Sequence, residues 1–355
     1  MTKKIGIILV GYKDYANRFL IECRDSLRAQ NYPKDSYQVY IVDNCSLNEA
    51  EFIKKRYPEA KVFTREDGNY SAANNLGLKM TMKDGCDYFI IANMDTKFDP
   101  DWIIELARAM ESDDKIGIAQ SKILLYPKTE AEQNEPKINS LGNIMHFLGF
   151  GFTKGYNELD RQVGDYPEIG YASGCSFIIK KEVLEKIGFY DEEYYMYHDD
   201  VEMSWRAKLA SYKIVLAPKS IVYHKYEFSR SVKMLYYMER NRQLAVFHFY
   251  RLPTLILLMP AAFFMNLGMF FYAIAGGWVK TYWEILKYFF LPKTWIKIIL
   301  KRKEIKKIRK VKDKKIVKDF EGKILFQEID NPALRYIGNP VLNLYWRIVK
   351  KIIIW

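Results

Sequence analysis

Cysteine is scarce. Cys23, Cys45, Cys86 and Cys175 are the only four and no two form a C-x-x-C pair, so the sequence offers neither a zinc knuckle nor a disulfide framework, and a reducing cytosolic setting fits best. A secretory leader is not legible either: "MTKKIGIILVGYKD" begins basic, but its apolar run is too short for a signal-peptide core and no small-residue cleavage site follows. It reads as a first β-strand. The stretch "LVGYKDYANR" lacks the Gly-rich loop with Arg and Lys that a nucleotidyltransferase on a similar α/β sheet would present after that strand. Internal repeats are absent, and the one low-complexity tract is the Lys-rich "KRKEIKKIRKVKDKKIVK".

Acidic residues thin out along the chain. Residues 1–230 carry 31 Lys+Arg against 35 Asp+Glu, whereas 231–355 carry 24 against 8, so the net charge of +12 belongs to the latter part. Such a block suits nucleic acid, an anionic membrane or plain solvation. Its Lys-rich tract sits beside an apolar run rather than interleaved with base-stacking aromatics, which argues against nucleic acid. No charged residue occurs over 252–279, a run longer than the ~20 residues that flag a membrane segment. The chain is therefore expected to meet an anionic membrane surface, and a basic, non-enzymatic membrane adaptor is one reading of the whole.

What is present over residues 1–230 leaves that adaptor reading incomplete. With 49% hydrophobic residues in a chain of 355 there is material for one large domain or two. Short apolar strands alternate with helical patterns: "IGIILVGY" precedes 17–29, "QVYIVDN" precedes 47–57, "AKVFTRE" precedes 71–82 and "DYFIIANMD" precedes 102–110. This βαβα rhythm predicts an α/β domain over 1–230, a mostly parallel sheet covered by helices, followed by a helical, basic region over 231–355. Ligands of such sheets bind beyond the carboxyl ends of the strands, where the chain places Gly11 and Tyr12, Asp43 and Asn44, Arg65, and Asn93 with Asp95. Asp43 either accepts hydrogen bonds from a ligand base or sugar or makes an Asx turn. Asp95 either holds a hard divalent cation against a diphosphate or is a turn residue. Segment 127–165, rich in Gly, Pro and charge, reads as loops at an active-site mouth.

The adjacent Asp199 and Asp200 of "YYMYHDDVEMSWRAK" also have two readings. Asp199 with Glu202 three residues on is a capping-box pattern at a helix start; alternatively the pair serves a metal or a proton transfer. His224, ending "IVYH", is either a surface residue at a strand end or a metal ligand.

Taken together and in order, these motifs resemble the inverting glycosyltransferases of family 2, with the GT-A fold, and especially their rhamnosyl- and galactofuranosyl-transferase-like members. "VGYKD" resembles the first nucleotide-contacting loop and "IVDNCS" the V-D-N-x-S whose Asp meets the base. "REDGNYSAANNLGLK" is similar to E-N-x-G-[FY]-[AG]-x-[AG]-N-N-x-G, "IANMDT" to the L-N-P-D-T form of the metal-binding D-x-D, and "FYDEEYYMYHDDVEMSWRAK" to the F-x-[ED]-D-x-[DE]-x-x-x-R block. The resemblance covers roughly residues 5 to 245 and is specific because the motifs recur together. It implies a UDP- or dTDP-sugar donor contacted by Gly11, Tyr12, Asp43, Asn44, Arg65, Asn74, Asn93 and Asp95. It further implies Mg2+ or Mn2+ held by Asp95 with His224, and an acceptor met by Gly174, Cys175 and Asp199. Asp200 is the implied general base, with Asp199 the alternative, and the acceptor is a lipid-linked saccharide or cell-envelope glycan. Two departures stand out: Gly68-Asn69 replaces the usual x-Gly order, with Asn69 expected to take the left-handed turn, and Asn93-Met94 leaves Asp95 as the only carboxylate of its motif.

A single straight span over 252–279 would put the catalytic domain and the Lys-rich block on opposite sides of a bilayer, against the tendency of Lys and Arg to stay cytoplasmic. Pro260, Asn266 and Gly268 are helix breakers, which predicts a re-entrant hairpin or an interfacial, monotopic segment at the cytoplasmic face of the membrane.

Overall fold

Strand β1 (Ile5–Tyr12) is apolar on both faces and almost wholly buried, as a strand covered by helices on both sides must be. In the computed structural model, which describes residues 2–45, 49–226, 234–325 and 332–355, it lies inside a parallel set with β2 (Tyr37–Asn44), β3 (Lys61–Arg65) and β4 (Tyr88–Asn93), in the order β3-β2-β1-β4. This is the sheet that the βαβα rhythm predicts. The other half is mixed. β10 (Ser176–Lys180) runs antiparallel between β4 and β6 (Ile116–Leu125), β6 pairs in parallel with β11 (Lys213–His224), and β5 (Thr96–Phe98) closes the edge antiparallel to β11. Segment 127–165 is more ordered than loops. It holds helix α5 (Glu130–Asn134), capped by Thr129, and β7 (Ile138–Ser140), which pairs with β6.

The helices α1 (Tyr15–Arg28), α2 (Glu49–Arg56), α3 (Tyr70–Lys83) and α4 (Trp102–Glu111) cover the sheet. In α1 the buried Ala16, Phe19, Leu20, Cys23 and Leu27 recur at the i, i+3, i+4, i+7 spacing of one helix face. The expected start of α2 at residue 47 lies outside the described residues. Trp102 is fully buried and its indole N–H reaches the hydroxyls of Ser121 on β6 and Ser176 on β10, at 3.0 and 2.9 Å, joining α4 to the mixed half of the sheet.

The chain divides into two compact units, one of Met1–Asn143, Thr153–Ala207 and Tyr212–Tyr226, the other of Ile144–Phe152, Lys208–Ser211 and Glu227–Trp355. The boundary expected between 230 and 231 falls outside the described residues. Six helices build most of the second unit: α8 (Leu235–Phe249), α9 (Leu252–Ala275), α10 (Val279–Phe290), α11 (Pro292–Ile308), the short α12 (Asp313–Ile316) and α13 (Asn339–Ile352). Phe147 stacks on Trp346 at 4.7 Å in its core, and burial pushes the His146 imidazole down to about 3, so that ring packs as a neutral group. The expected break at Pro260, Asn266 and Gly268 does not occur: α9 is one helix of 24 residues with Pro260 inside it. Residues on either side of the proline, Leu258 and Ala261, are packed and hold the helix across the one hydrogen bond that proline forfeits. The chain turns instead at Gly276 and Gly277, the latter at φ +74°.

Helix α3 reaches β1 only because position 77 has no side chain, a Cβ there falling 2.5 Å from Ile8 Cγ2. Gly77→Val is expected to destabilise the protein by about 1–3 kcal/mol through overpacking, read as a lowered urea midpoint; an unchanged midpoint would mean that α3 is free to move off the sheet.

Candidate active site

Parallel register brings the expected strand-end residues to one level. Gly11 is opposite Asp43, Tyr12 opposite Asn44, Asn44 opposite Arg65, and Val10 opposite Asn93. Asp43 and Asn44 are buried there, and Asn44 Oδ1 has no hydrogen-bond partner among the described residues. Arg65 is folded onto Asp67, its Nη2 donating at 2.6 Å, and its carbonyl accepts from Cys45 N at 2.7 Å. Asn74 is fully buried in α3, with Nδ2 donating to Tyr70 O at 3.0 Å. The neighbouring Asn75 instead clasps Tyr190, accepting from its N–H at 2.9 Å and donating to its carbonyl at 3.0 Å.

Asp95 sits in the turn between β4 and β5. Because β5 pairs with β11 so that Thr96 faces His224, the buried Asp95 and His224 side chains meet, Oδ1 to Nε2, at 3.5 Å. Tyr15 OH lies 3.4 Å from Asp95 Oδ2, and His224 Nδ1 is 3.1 Å from Asn139 Oδ1. Burial opposes a charged His224, but Cys175 and Asp95 beside it outweigh that and raise its pKa well above the usual range. Cys175 is carried there by the antiparallel β10, its carbonyl accepting from Asn93 N at 3.0 Å. Neither Asn139, within the segment read as loops, nor Tyr15 had a signal in the sequence.

Helix α7 (Asp199–Leu209), which carries the acid pair, starts one residue earlier than the capping-box reading requires. Glu202 N bonds to His198 O at 2.8 Å, which makes His198 the cap and puts both aspartates in the first turn. Glu202 turns away from the cap to pair with Arg206 at 2.5 Å, both buried, and Arg206 also donates to Gly188 O at 3.0 Å and Phe189 O at 2.8 Å. The terminal Arg of the motif therefore supplies donors to carbonyls left over at the end of α6 (Lys181–Ile187). It fixes the angle at which α7 presents its acids. Asp200 Oδ2 accepts from Gly174 N at 3.1 Å and Oδ1 from Val201 N at 2.8 Å. Burial raises the Asp200 pKa and those two N–H groups pull it back. Burial, then the Asp200 charge, raise Asp199 well above the usual range. Both carboxyls are therefore raised, Asp199 further by burial and its neighbour's charge, and Asp200 less because two backbone donors offset part of its burial.

The backbone before α7 is strained. Tyr195, Tyr197 and His198 have φ of 63°, 62° and 60°, and Met196 N bonds to Tyr194 O at 2.7 Å in a γ-turn of the rarer, positive-φ kind. Tyr195 ties this loop to the other half of the cleft. Its hydroxyl donates to Asp67 O at 3.0 Å and its carbonyl accepts from Ser71 N at 3.1 Å. The left-handed residue of that facing turn is Gly68, at φ +69°, while Asn69 is extended and caps α3 by accepting from Ala72 N at 3.0 Å. The expectation of a left-handed Asn69 is thereby corrected: glycine adopts the conformation without steric cost, and asparagine is more useful as a cap.

Two outcomes follow. Arg206→Met should cost about 3–5 kcal/mol, since it strands Glu202 as an unpaired buried charge, and urea unfolding will show it; a loss under 1 kcal/mol would mean the pair does not anchor α7. Asp199 ionises at a higher pH folded than unfolded, so the folded state holds extra protons and stability falls as pH rises above about 4, the ordinary carboxyl value. Asp199→Asn should then melt at a higher temperature than the parent at pH 7.5, with the difference closing as pH is lowered toward that value; a lower melting temperature at pH 7.5 would contradict the raised pKa.

Similarity to known proteins agrees with this architecture. The chain is 26% identical over 145 residues, 39% of its own length and 47% of theirs, to the N-acetylglucosaminyl-diphospho-decaprenol L-rhamnosyltransferases of two Mycobacterium tuberculosis strains; it spans about half the length of the curated relatives it matches. A solved structure of GalNAc-T7 with UDP, GalNAc and Mn2+ superposes with a TM-score of 0.54 at 16% identity, over 69% of this chain and 48% of that one, a likeness of fold. The model of the family described as glycosyl transferase family 2 matches residues 7–188. That match takes in the strand-end residues and reaches the end of α6, and the chain belongs to glycosyl transferase family 2, with the GT-A fold.

Proposed function

We propose that the enzyme moves a sugar, with inversion, from a UDP- or dTDP-sugar to a saccharide carried on a lipid diphosphate. The observation that carries this reading is the unlike setting of the acid pair on α7: Asp200 accepts from Gly174 N and Val201 N, beside the strand end where Asn93 N meets Cys175 O, whereas Asp199 has its neighbour's charge against it. Asp200 accepts the proton of the acceptor hydroxyl as that oxygen attacks the anomeric carbon, and the bond to the diphosphate oxygen breaks from the opposite face. Asp199, favouring its proton, donates a hydrogen bond to the acceptor sugar. Asp43 accepts from the base, and Asn44 Oδ1, buried without a partner among the described residues, accepts from the donor nucleoside. The decaprenol-linked substrate named for the mycobacterial relatives supports the acceptor class.

The donor set at Asp95 fits a divalent cation. One carboxylate and one imidazole nitrogen point at each other across 3.5 Å, and with His224 deprotonated they would hold an ion that shares its shell with diphosphate oxygens and water. Such an ion would neutralise charge on the leaving diphosphate.

Asp200→Asn should lower turnover about 100-fold or more while UDP and dTDP affinities persist; full activity in that variant with a dead Asp199→Asn would transfer the base to Asp199. Asp95→Asn should weaken Mn2+ binding about 10–100-fold, measured by titration calorimetry with and without UDP. Unchanged metal affinity would remove Asp95 from the metal site.

A further inference from the structure

We infer that α9, α10, α11 and α13 form a platform that lies in the interface of an anionic bilayer, with α9 parallel to the membrane plane rather than across it. Among the described residues, α9 is the one helix long and apolar enough to cross. One line of its residues, Thr254, Leu258, Ala261 and Ala273, is buried, and a broad apolar stripe that includes Ile256, Met259, Phe263, Phe264, Phe271 and Ile274 is 49–68% exposed. A second stripe runs along α13, where Val341, Leu344, Ile348 and Ile352 are 48–62% exposed while Leu342, Trp346 and Val349 face inward. Tyr345 OH binds the Leu257 carbonyl, so the two stripes belong to one packed pair of helices. Solvent-facing apolar stripes of this length are not core residues and need a cover.

Polar anchors along the inner line of α9 decide its orientation. At its first turn Arg251 N and Thr254 Oγ1 donate to Asp313 at 2.8 and 2.6 Å, and Asp313 pairs with Arg309 at 2.7 Å. In its middle Asn266 accepts from Arg242 at 3.3 Å and from Tyr282 OH at 2.8 Å, and Arg242 is bound to Glu239 at 2.7 Å. At the helical rise, Thr254 and Asn266 are about 18 Å apart along the axis, less than the ~30 Å of a hydrocarbon core. An upright helix would therefore either draw one of these ion pairs into hydrocarbon or insert only the residues beyond 266, too few to cross. Lying flat keeps both pairs out.

Charge names the occupant. The +16 of residues 231–355 includes Lys293, Lys297, Lys303, Lys306 and Lys307, exposed on α11 beside the equally exposed Trp295 and Ile299. Aromatic, apolar and basic residues together suit anionic headgroups above acyl chains. The inference rests on the lipid-linked acceptor reading for its purpose only, so it is tested without donor or acceptor. The full chain should co-float with vesicles containing 30% phosphatidylglycerol at least tenfold better than with phosphatidylcholine alone. The double variant Leu344→Glu/Ile348→Glu, checked by circular dichroism to be folded, should lose at least tenfold in that partition. Spin labels placed singly at residues 256, 267 and 274, with Cys45 replaced by Ser, should report one shallow depth. Equal partition onto neutral vesicles, an unaffected double variant, a depth maximum at 267 with shallow ends, or dimerisation without vesicle binding would each overturn the proposal.

Discussion

The register of β1 against β2 on one side and β4 on the other fixes everything that follows it in the cleft. Backbone hydrogen bonding in parallel leaves no freedom to slide once alternate side chains are committed to opposite apolar layers, and that commitment puts Gly11 beside Asp43 and Val10 beside Asn93, within one residue of the same height. The tight turn after Asn93 then has only a short reach, and β5 delivers Asp95 to His224 because β11 lies alongside. A slip of one residue in any of these ladders would turn the same side chains into the layers beneath the sheet. The apolar sequence of the strands is thus the specification for the polar residues at their ends.

A different economy governs the start of α7. Two carboxyl groups adjacent in sequence and withdrawn from water repel one another, and the fold tolerates them by giving them unlike environments: two backbone donors for Asp200, and burial beside its neighbour's charge for Asp199. The buried Glu202–Arg206 pair is a structural investment one turn further on, where its charges are mutually compensated and the guanidinium satisfies carbonyls of another element. Position is set by one ion pair and proton affinity by another set of contacts, so the two can be perturbed separately.

The parallel half of the sheet, the strand-end acids and the acid pair were legible because each rests on short-range pattern: apolar runs of strand length, a polar residue ending each run, like charges side by side. The antiparallel entry of β10 was not, since a strand's direction depends on where the chain goes afterwards and leaves no mark on its own residues. The capping-box reading of Asp199 failed for a related reason. Glu202 could meet the cap or Arg206 four residues on, and burial favoured the full charge pair. Pro260 misled in the same way, local propensity yielding to packing on either side of the helix, and Asn139 lay in a segment whose composition resembles that of loops.

Tyr195 binds both halves of the cleft: its hydroxyl holds the Asp67 carbonyl and its own carbonyl receives Ser71 N, while Asn69 Nδ2 reaches the Glu192 carbonyl at 3.0 Å and Asn75 clasps Tyr190. The turn that opens α3 and the strained loop that opens α7 are therefore one mechanical body. A molecule that prefers one arrangement of the first therefore biases the second, and linkage makes that influence equal in both directions. The two turns share a hinge, and whatever favours one setting of either is felt at the other.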